Sequence, residues 1–144
     1  MPTRITNFIH DSLQTGTQTL GTAFNTSDVH VHDMTEYLAA FQQNANFRGI
    51  VEGIHIRLTS AGSPTTVTVR VCADPEGDYT LIPDTTATLV AGVTTATAKC
   101  AAFSVGIPIF QILGNANGNL YLFAHVDDAT GNPVMAQTCI TWRE

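Results

Sequence analysis

Ile54-His55-Ile56-Arg57-Leu58, the break Ser60-Ala61-Gly62-Ser63-Pro64, and then Thr65-Thr66-Val67-Thr68-Val69-Arg70-Val71 decide the fold class of this chain. Apolar and polar residues alternate on both sides of the Gly/Pro break. That period of two is the mark of half-buried antiparallel strands, because successive side chains of a strand point to opposite faces. A sequence built this way makes a rigid β shell and carries few reactive groups, so function is expected in surfaces and assembly.

Downstream, the same pattern recurs at the spacing of sandwiches and barrels. Strands are expected near 48–59, 65–73, 79–82, 86–91, 95–104, 107–112, 119–127 and 135–143. They are separated by Asp74-Pro75-Glu76-Gly77-Asp78, Gly92, Gly106-Ile107-Pro108, Gly114 to Asn119, and Asp127-Asp128-Ala129-Thr130-Gly131-Asn132-Pro133. Asn, Asp and Gly there favour left-handed or turn conformations, and Pro fixes φ. About eight strands without a βαβ pattern predict an all-β antiparallel sandwich of jelly-roll type. An immunoglobulin-like sandwich is the alternative, but Trp142 follows all three cysteines, so the Cys…Trp…Cys order of that fold is missing.

Composition narrows the partners. The chain has 144 residues, enough for one domain with a sizeable core. Charged residues make up 12%, against a usual ~25%, and Thr occupies 22 positions. Thr packs its β-branch on a pleated surface while its hydroxyl stays wet. A coat of neutral hydroxyls does little to oppose association with other protein. Six basic residues, scattered rather than clustered, and a net charge of −6 argue against a nucleic-acid partner. No apolar run approaches the ~18 residues of a membrane span, and Met1 to Thr6 lacks the apolar core of a secretory signal. A soluble chain made in a cytoplasm, with no membrane partner, is expected. Cys72, Cys100 and Cys139 are an odd number with no CxxC pair, so buried free thiols are expected rather than a disulfide framework or a thiolate zinc site.

The first 45 residues read as an N-terminal arm and connecting segment, with the sandwich at 46–144. Thr15 to Thr22 is rich in Thr and Gly and has little to bury, whereas Ile5, Phe8, Ile9 and Leu13 are apolar anchors suited to subunit or larger-surface contact. A strand is expected at 28–32, followed by one short helix near 34–42.

Candidate chemistry is sparse. His30 and His32 fall on one side of a strand about 6–7 Å apart, near enough to share a metal, with His10 and Asp11 as a further source of ligands. Without a third ligand at fixed spacing, polar contacts are the simpler expectation. Asp127 and Asp128, like the 74–78 loop, concentrate oxygen ligands of the kind calcium uses, yet turn chemistry alone explains them and no EF-hand pattern is present. No cofactor is expected. There is no Gly-x-Ser-x-Gly, His-Glu-x-x-His or phosphate loop, and His125 with Cys139 is a pair suggested only by nearness in sequence, so no enzyme is predicted. Tyr121, Phe123 and Trp142 fit a sugar-stacking platform if exposed and a sandwich core if not.

Asp74 to Asp84, the Thr-rich stretch Thr85 to Thr97, Leu120-Tyr121-Leu122-Phe123-Ala124-His125 and the terminal Ile140-Thr141-Trp142-Arg143-Glu144 resemble the jelly-roll decoration, or cement, proteins on the capsids of tailed bacteriophages. The resemblance covers Ile50 to Glu144. It implies a virion structural protein on the capsid surface, a homotrimer with the major capsid protein as partner, and assembly in the host cytoplasm. It transfers no residue-specific role, because that family is defined by surfaces. A carbohydrate- or receptor-binding sandwich of a phage fibre is the alternative expectation, and a small hydrolase on the same scaffold is a third.

Overall fold

The computed structural model describes residues 7–12, 18–25, 29–33, 50–58, 63–91, 98–108 and 119–143. These residues form strands β1 (Asn7–Ser12), β2 (Gln18–Thr19), β3 (Val29–Asp33), β4 (Ile50–Leu58), β5 (Thr66–Cys72), β6 (Thr80–Thr88), β7 (Val90–Ala91), β8 (Lys99–Pro108), β9 (Asn119–Val126) and β10 (Val134–Arg143). Every pairing is antiparallel. One sheet runs β1-β10-β4-β8-β7, with β2 also on β10; the second runs β3-β9-β5-β6. Counting only the eight long strands in chain order, the sheets read first-eighth-third-sixth and second-seventh-fourth-fifth. That is the strand order of a jelly roll, two Greek keys wrapped into a sandwich. No helix among the described residues is long and apolar enough to cross a membrane.

The decisive stretch forms its two strands as expected, and their partners are the informative part. β4 lies between β10 and β8, and β5 between β9 and β6, so the chain crosses from one sheet to the other between them. Their apolar faces then meet. Ile54, Ile56 and Leu58 from one side and Val67, Val69 and Val71 from the other are almost wholly buried in one cluster with Leu120, Leu122, Val126, Met135 and Ile140. A β-branched layer of this kind suits a sandwich interior, where side chains of the facing sheets interdigitate.

Several boundaries differ from expectation, each for a local reason. The strands expected at 79–82 and 86–91 are one strand, β6, to Thr88. Against β5 its register shifts between Ile82 and Thr85, so Pro83 and Asp84 form a bulge rather than a turn. β6 is an edge strand among the described residues, where a proline deprives no ladder of a hydrogen bond. Leu89 then turns the corner, its amide donating to the carbonyl of Thr65, and β7 joins the opposite sheet. Gly106-Ile107-Pro108 is likewise not a turn. It is the end of β8, pairing with β4 as Pro108 opposite Ile50, with open space where a Gly106 side chain would stand. Within the segment expected as an arm, β1 pairs along β10 and β3 along β9, so at those residues the sandwich reaches into the first 45. The short helix near 34–42, the Gly92 turn, Ile5 and Leu13 lie outside the described residues.

The loop Asp127 to Pro133 behaves as the turn its composition predicts, with Gly131 and Asn132 at positive φ. Its first residue also ties the start of β5 to the end of β9. The Asp127 carboxylate accepts from the Thr65 amide at 2.9 Å, the Thr65 hydroxyl at 2.5 Å and the Thr66 amide at 3.0 Å. The Thr65 hydroxyl, followed by the Thr66 and Thr65 amides, pulls this carboxyl down from 3.8 to about 2. Because the folded value is depressed, the stabilisation is complete above pH 3.8 and is lost as pH falls towards about 2. Over that acid window the wild type is expected to lose more unfolding free energy than Asp127→Asn, read by urea titrations at each pH. In the core, Leu122→Ala, at a fully buried site, is expected to cost about 2–5 kcal/mol and to lower the urea midpoint without changing the slope.

Candidate functional site

With both inner faces sealed against each other, function falls to the two outer faces and the edges. They are dressed differently. On the second sheet, Tyr121, Phe123 and His125 of β9 stand outward beside Cys72, Arg70 and Thr68 of β5, residue opposite residue. This face is covered by its own chain. Leaving β2, the chain is bonded to both sheets, the Leu20 amide donating to the Pro133 carbonyl and the Val126 amide to the Gly21 carbonyl. That path lays Phe24 over the sheet. The Phe24 ring meets His125 edge-on at 4.5 Å between centroids, and the Arg70 guanidinium stacks over it at 4.6 Å. At the other end the 73–79 loop folds back, and Gly77, at φ +81°, brings its backbone against the Phe123 ring at a position where a Cβ would already be in contact. Cys72, Tyr121 and Phe123 are consequently buried in a small cluster outside the main core, with Phe24 packed against them.

Of the two alternatives for these aromatics, burial holds at Tyr121 and Phe123, although in a small cluster outside the main core. Tyr121 is 6% and Phe123 3% exposed, and the loop and Phe24 occupy the space a sugar would need. Arg70 is committed as well. It holds Asp84 through two contacts of 2.6 and 3.1 Å, which keeps that carboxyl below its ordinary range.

On the first sheet the outer face is open among the described residues, with His55, Arg57, Cys100 and Ala102 exposed. Gly53, His55 and Arg57 of β4 lie between Thr141 and Cys139 of β10 on one side and Ser104, Ala102 and Cys100 of β8 on the other. Most of these groups are small and neutral. A Cβ on Gly53 would collide with the Thr141 hydroxyl and touch the His55 ring, so the glycine lets these neighbours lean in. Towards β7 the face hollows into a groove of about 600 Å³, lined by His55, Arg57, Val90, Cys100, Ala102 and Cys139, with Thr88 at its rim. Val90 is 65% exposed there. Among the described residues Arg57 has no hydrogen-bond or ion-pair partner, in contrast to Arg70 on Asp84 and Lys99 on the Pro64 carbonyl. The groove thus combines an apolar floor with an uncommitted guanidinium and an imidazole.

The sequence-derived candidates are not brought together. His30 and His32 pair in β3 with Leu122 and Leu120, whereas Asp127 follows β9 at its far end, five residues beyond Leu122 and about 16 Å along the strand. Asp127 is saturated by Thr65 and Thr66, and Asp128 accepts from the Thr130 amide at 2.8 Å; both act as turn acceptors. Among the described residues no three His, Cys, Asp or Glu side chains converge on a metal position. His125 and Cys139 are on opposite outer faces of the sandwich, His125 against Phe24 and Cys139 at the groove, so they form no pair. Phe8 and Ile9 stand in β1 opposite Trp142 and Thr141, which makes that stretch part of the sheet at an edge. Of the cysteines expected to be buried, Cys72 is, Cys139 is half-buried and Cys100 is exposed, because Cys100 sits on the outward side of β8. Sequence reasoning missed the groove. His55 and Arg57 were visible as two outward positions of one strand, but their neighbours Val90 and Cys100 are set by register between strands far apart in sequence.

No family model and no characterised protein sequence matches the chain. Among solved structures it is similar to the CBM35 module of Cellvibrio japonicus Abf62, at 13% identity over 94% of this chain and 92% of that one, TM-score 0.42. It is also similar to the Tobacco streak virus coat protein, at 9% identity over 100% of this chain and 88% of that one, TM-score 0.41. A third is infectious bursal disease virus VP2, at 14% identity over 98% of this chain and 33% of that one, TM-score 0.44. Likenesses this distant carry no argument about this chain, whose jelly roll is read from its own strand order.

The two outer faces differ in a way thiol chemistry reads directly. Cys100 is expected to react first with a thiol reagent in native protein. Cys72, buried and with its thiol pushed above its ordinary range chiefly by burial, is expected to stay silent until unfolding. Phe24→Ala, which uncovers the small cluster, should make Cys72 reactive in folded protein, and reaction at three equal rates in the wild type would contradict the two-face description.

Proposed function

We propose that this chain is a non-enzymatic virion structural protein that binds the outer surface of a bacteriophage head, with the major capsid protein as partner, and reinforces it as a homotrimer. The observation that carries this reading is the undefended periphery of the sandwich. β6 is a nine-residue strand with one neighbour among the described residues and no lysine. Its single charged residue, Asp84, is tied back to Arg70. Free-standing proteins blunt such edges with charge, and Pro83 with its bulge is the only such device on this strand. The open face of the first sheet is mostly small and neutral as well, apart from Arg57. Both features suit a subunit that spends its life against other protein, where closed symmetry covers edges and several weak contacts add through effective concentration.

A carbohydrate-binding module of a phage fibre is the second reading from sequence. Burial of Tyr121 and Phe123 gives it less support, leaving Tyr79 as the one large exposed aromatic among the described residues.

The test is light scattering of the purified protein, with co-sedimentation on heads assembled from the major capsid protein of the same genome. A trimer that sediments with heads and raises their resistance to heat or chelators is the expected result. A strict monomer that leaves the heads in the supernatant comparison unchanged, or a protein that binds a glycan array and no heads, would overturn the proposal.

A further inference from the structure

The loop between β5 and β6 is a rigid, acidic knob. Asp74 accepts from the amides of Asp78 at 3.1 Å and Tyr79 at 2.8 Å, the Ala73 amide donates to the Tyr79 carbonyl at 2.9 Å, and Gly77 rests on the Phe123 ring. This clamp leaves Glu76, Asp78 and Tyr79 pointing to solvent, with Tyr79 61% exposed. Tyr79 and Val90 are the two large exposed hydrophobic residues described, one on the knob and the other in the groove of the first sheet. The groove carries Arg57 and His55, and the knob carries two carboxylates with no side-chain partner described. Charge and apolar surface are complementary.

Knob and groove cannot meet within one molecule. The knob precedes Thr80 and the groove lies beyond Thr88, so the length of β6, about 26 Å, separates them. A contact between copies is then heterologous, using two different patches on each protomer, which is the type of contact that closes into rings such as trimers. A cleft of about 600 Å³ is within the range of sites that enclose small ligands and has room for one tyrosine ring flanked by carboxylates.

We propose that the Arg57–His55 groove is a self-association site that takes the Glu76–Tyr79 knob of a second copy of this chain. Tyr79 enters between Val90 and Ala102, and Glu76 and Asp78 face the guanidinium and imidazole. The proposal rests on the homotrimer reading and names the surfaces that build it.

The experiment is a charge swap read by light scattering on the full chain. Arg57→Glu, which places like charges across the contact, is expected to weaken association about tenfold or more. Glu76→Lys with Asp78→Lys should do the same, and all three changes together should restore the wild-type mass. Far-UV circular dichroism and melting establish that each variant is folded; since the altered side chains are exposed, folding is expected to be unchanged. Tyr79→Ala is the independent arm and should lower association without altering its salt dependence. A wild-type assembly whose mass no single set of changes alters, or a triple variant that stays dissociated, would overturn this interface while leaving the trimer reading intact. A wild type that is monomeric and remains so on heads would overturn both.

Discussion

Everything in this molecule follows from one requirement: two sheets must each bury one face, and they bury it against each other. Val67, Val69 and Val71 on β5 and Ile54, Ile56 and Leu58 on β4 are the parts of that layer closest in sequence, yet they come from opposite sheets. The chain therefore has to leave one sheet and enter the other repeatedly, and the corners become the stressed points of the fold. Corners among the described residues show specific fastenings. Leu89 donates its amide to Thr65, Leu20 to Pro133, and Asp127 gathers the two amides and the hydroxyl that open β5. At the level of net free energy such hydrogen bonds are modest, about 1 kcal/mol each, whereas the aliphatic layer supplies the driving force. The fastenings select one path for the chain among those that would bury the same residues.

That division explains what could be seen in the sequence. Alternation over 54–58 and 65–71 is a local consequence of facing a core, so strands and their inward residues were legible without knowing any partner. The turn at Asp127 to Pro133 was legible for the same reason, since Gly131 and Asn132 act through their own backbone. Pro83 and Pro108 read as punctuation in the sequence, yet both lie in strands. Pro83 is tolerated on the edge strand β6 and Pro108 at the last position of β8, beyond the two residues that β7 pairs with, and neither placement is visible without the sheet order. Tyr121 and Phe123 show the limit most clearly. The sequence leaves them between an exposed platform and the sandwich core; they are buried, but outside the main core, because Phe24 and Gly77, one far upstream and one across the sheet, fold over them. The groove was hidden for a similar reason, being assembled by register from β4, β8, β7 and β10.

The asymmetry between the outer faces is the step that connects fold to function. One face is finished by its own chain: its aromatics are covered, its arginine is paired with Asp84, and its loop is clamped by Asp74. The other is unfinished, with a guanidinium that has no partner among the described residues above a floor of Ala, Val and Cys side chains. If low charge were merely a compositional habit, both faces would be left equally bare. Instead the chain covers one with its own residues and leaves the other with complementary material, an exposed acidic loop, at the far end of the same molecule. Supplying the missing partner from a second copy resolves both surfaces with one contact. Because that contact joins two different patches, it continues from copy to copy, ending in a ring where the rotation between copies closes and in a filament where it does not. The net charge of −6 opposes such closure at long range, so the association has to be short-range and shape-dependent, which is what a clamped knob and a preformed groove provide.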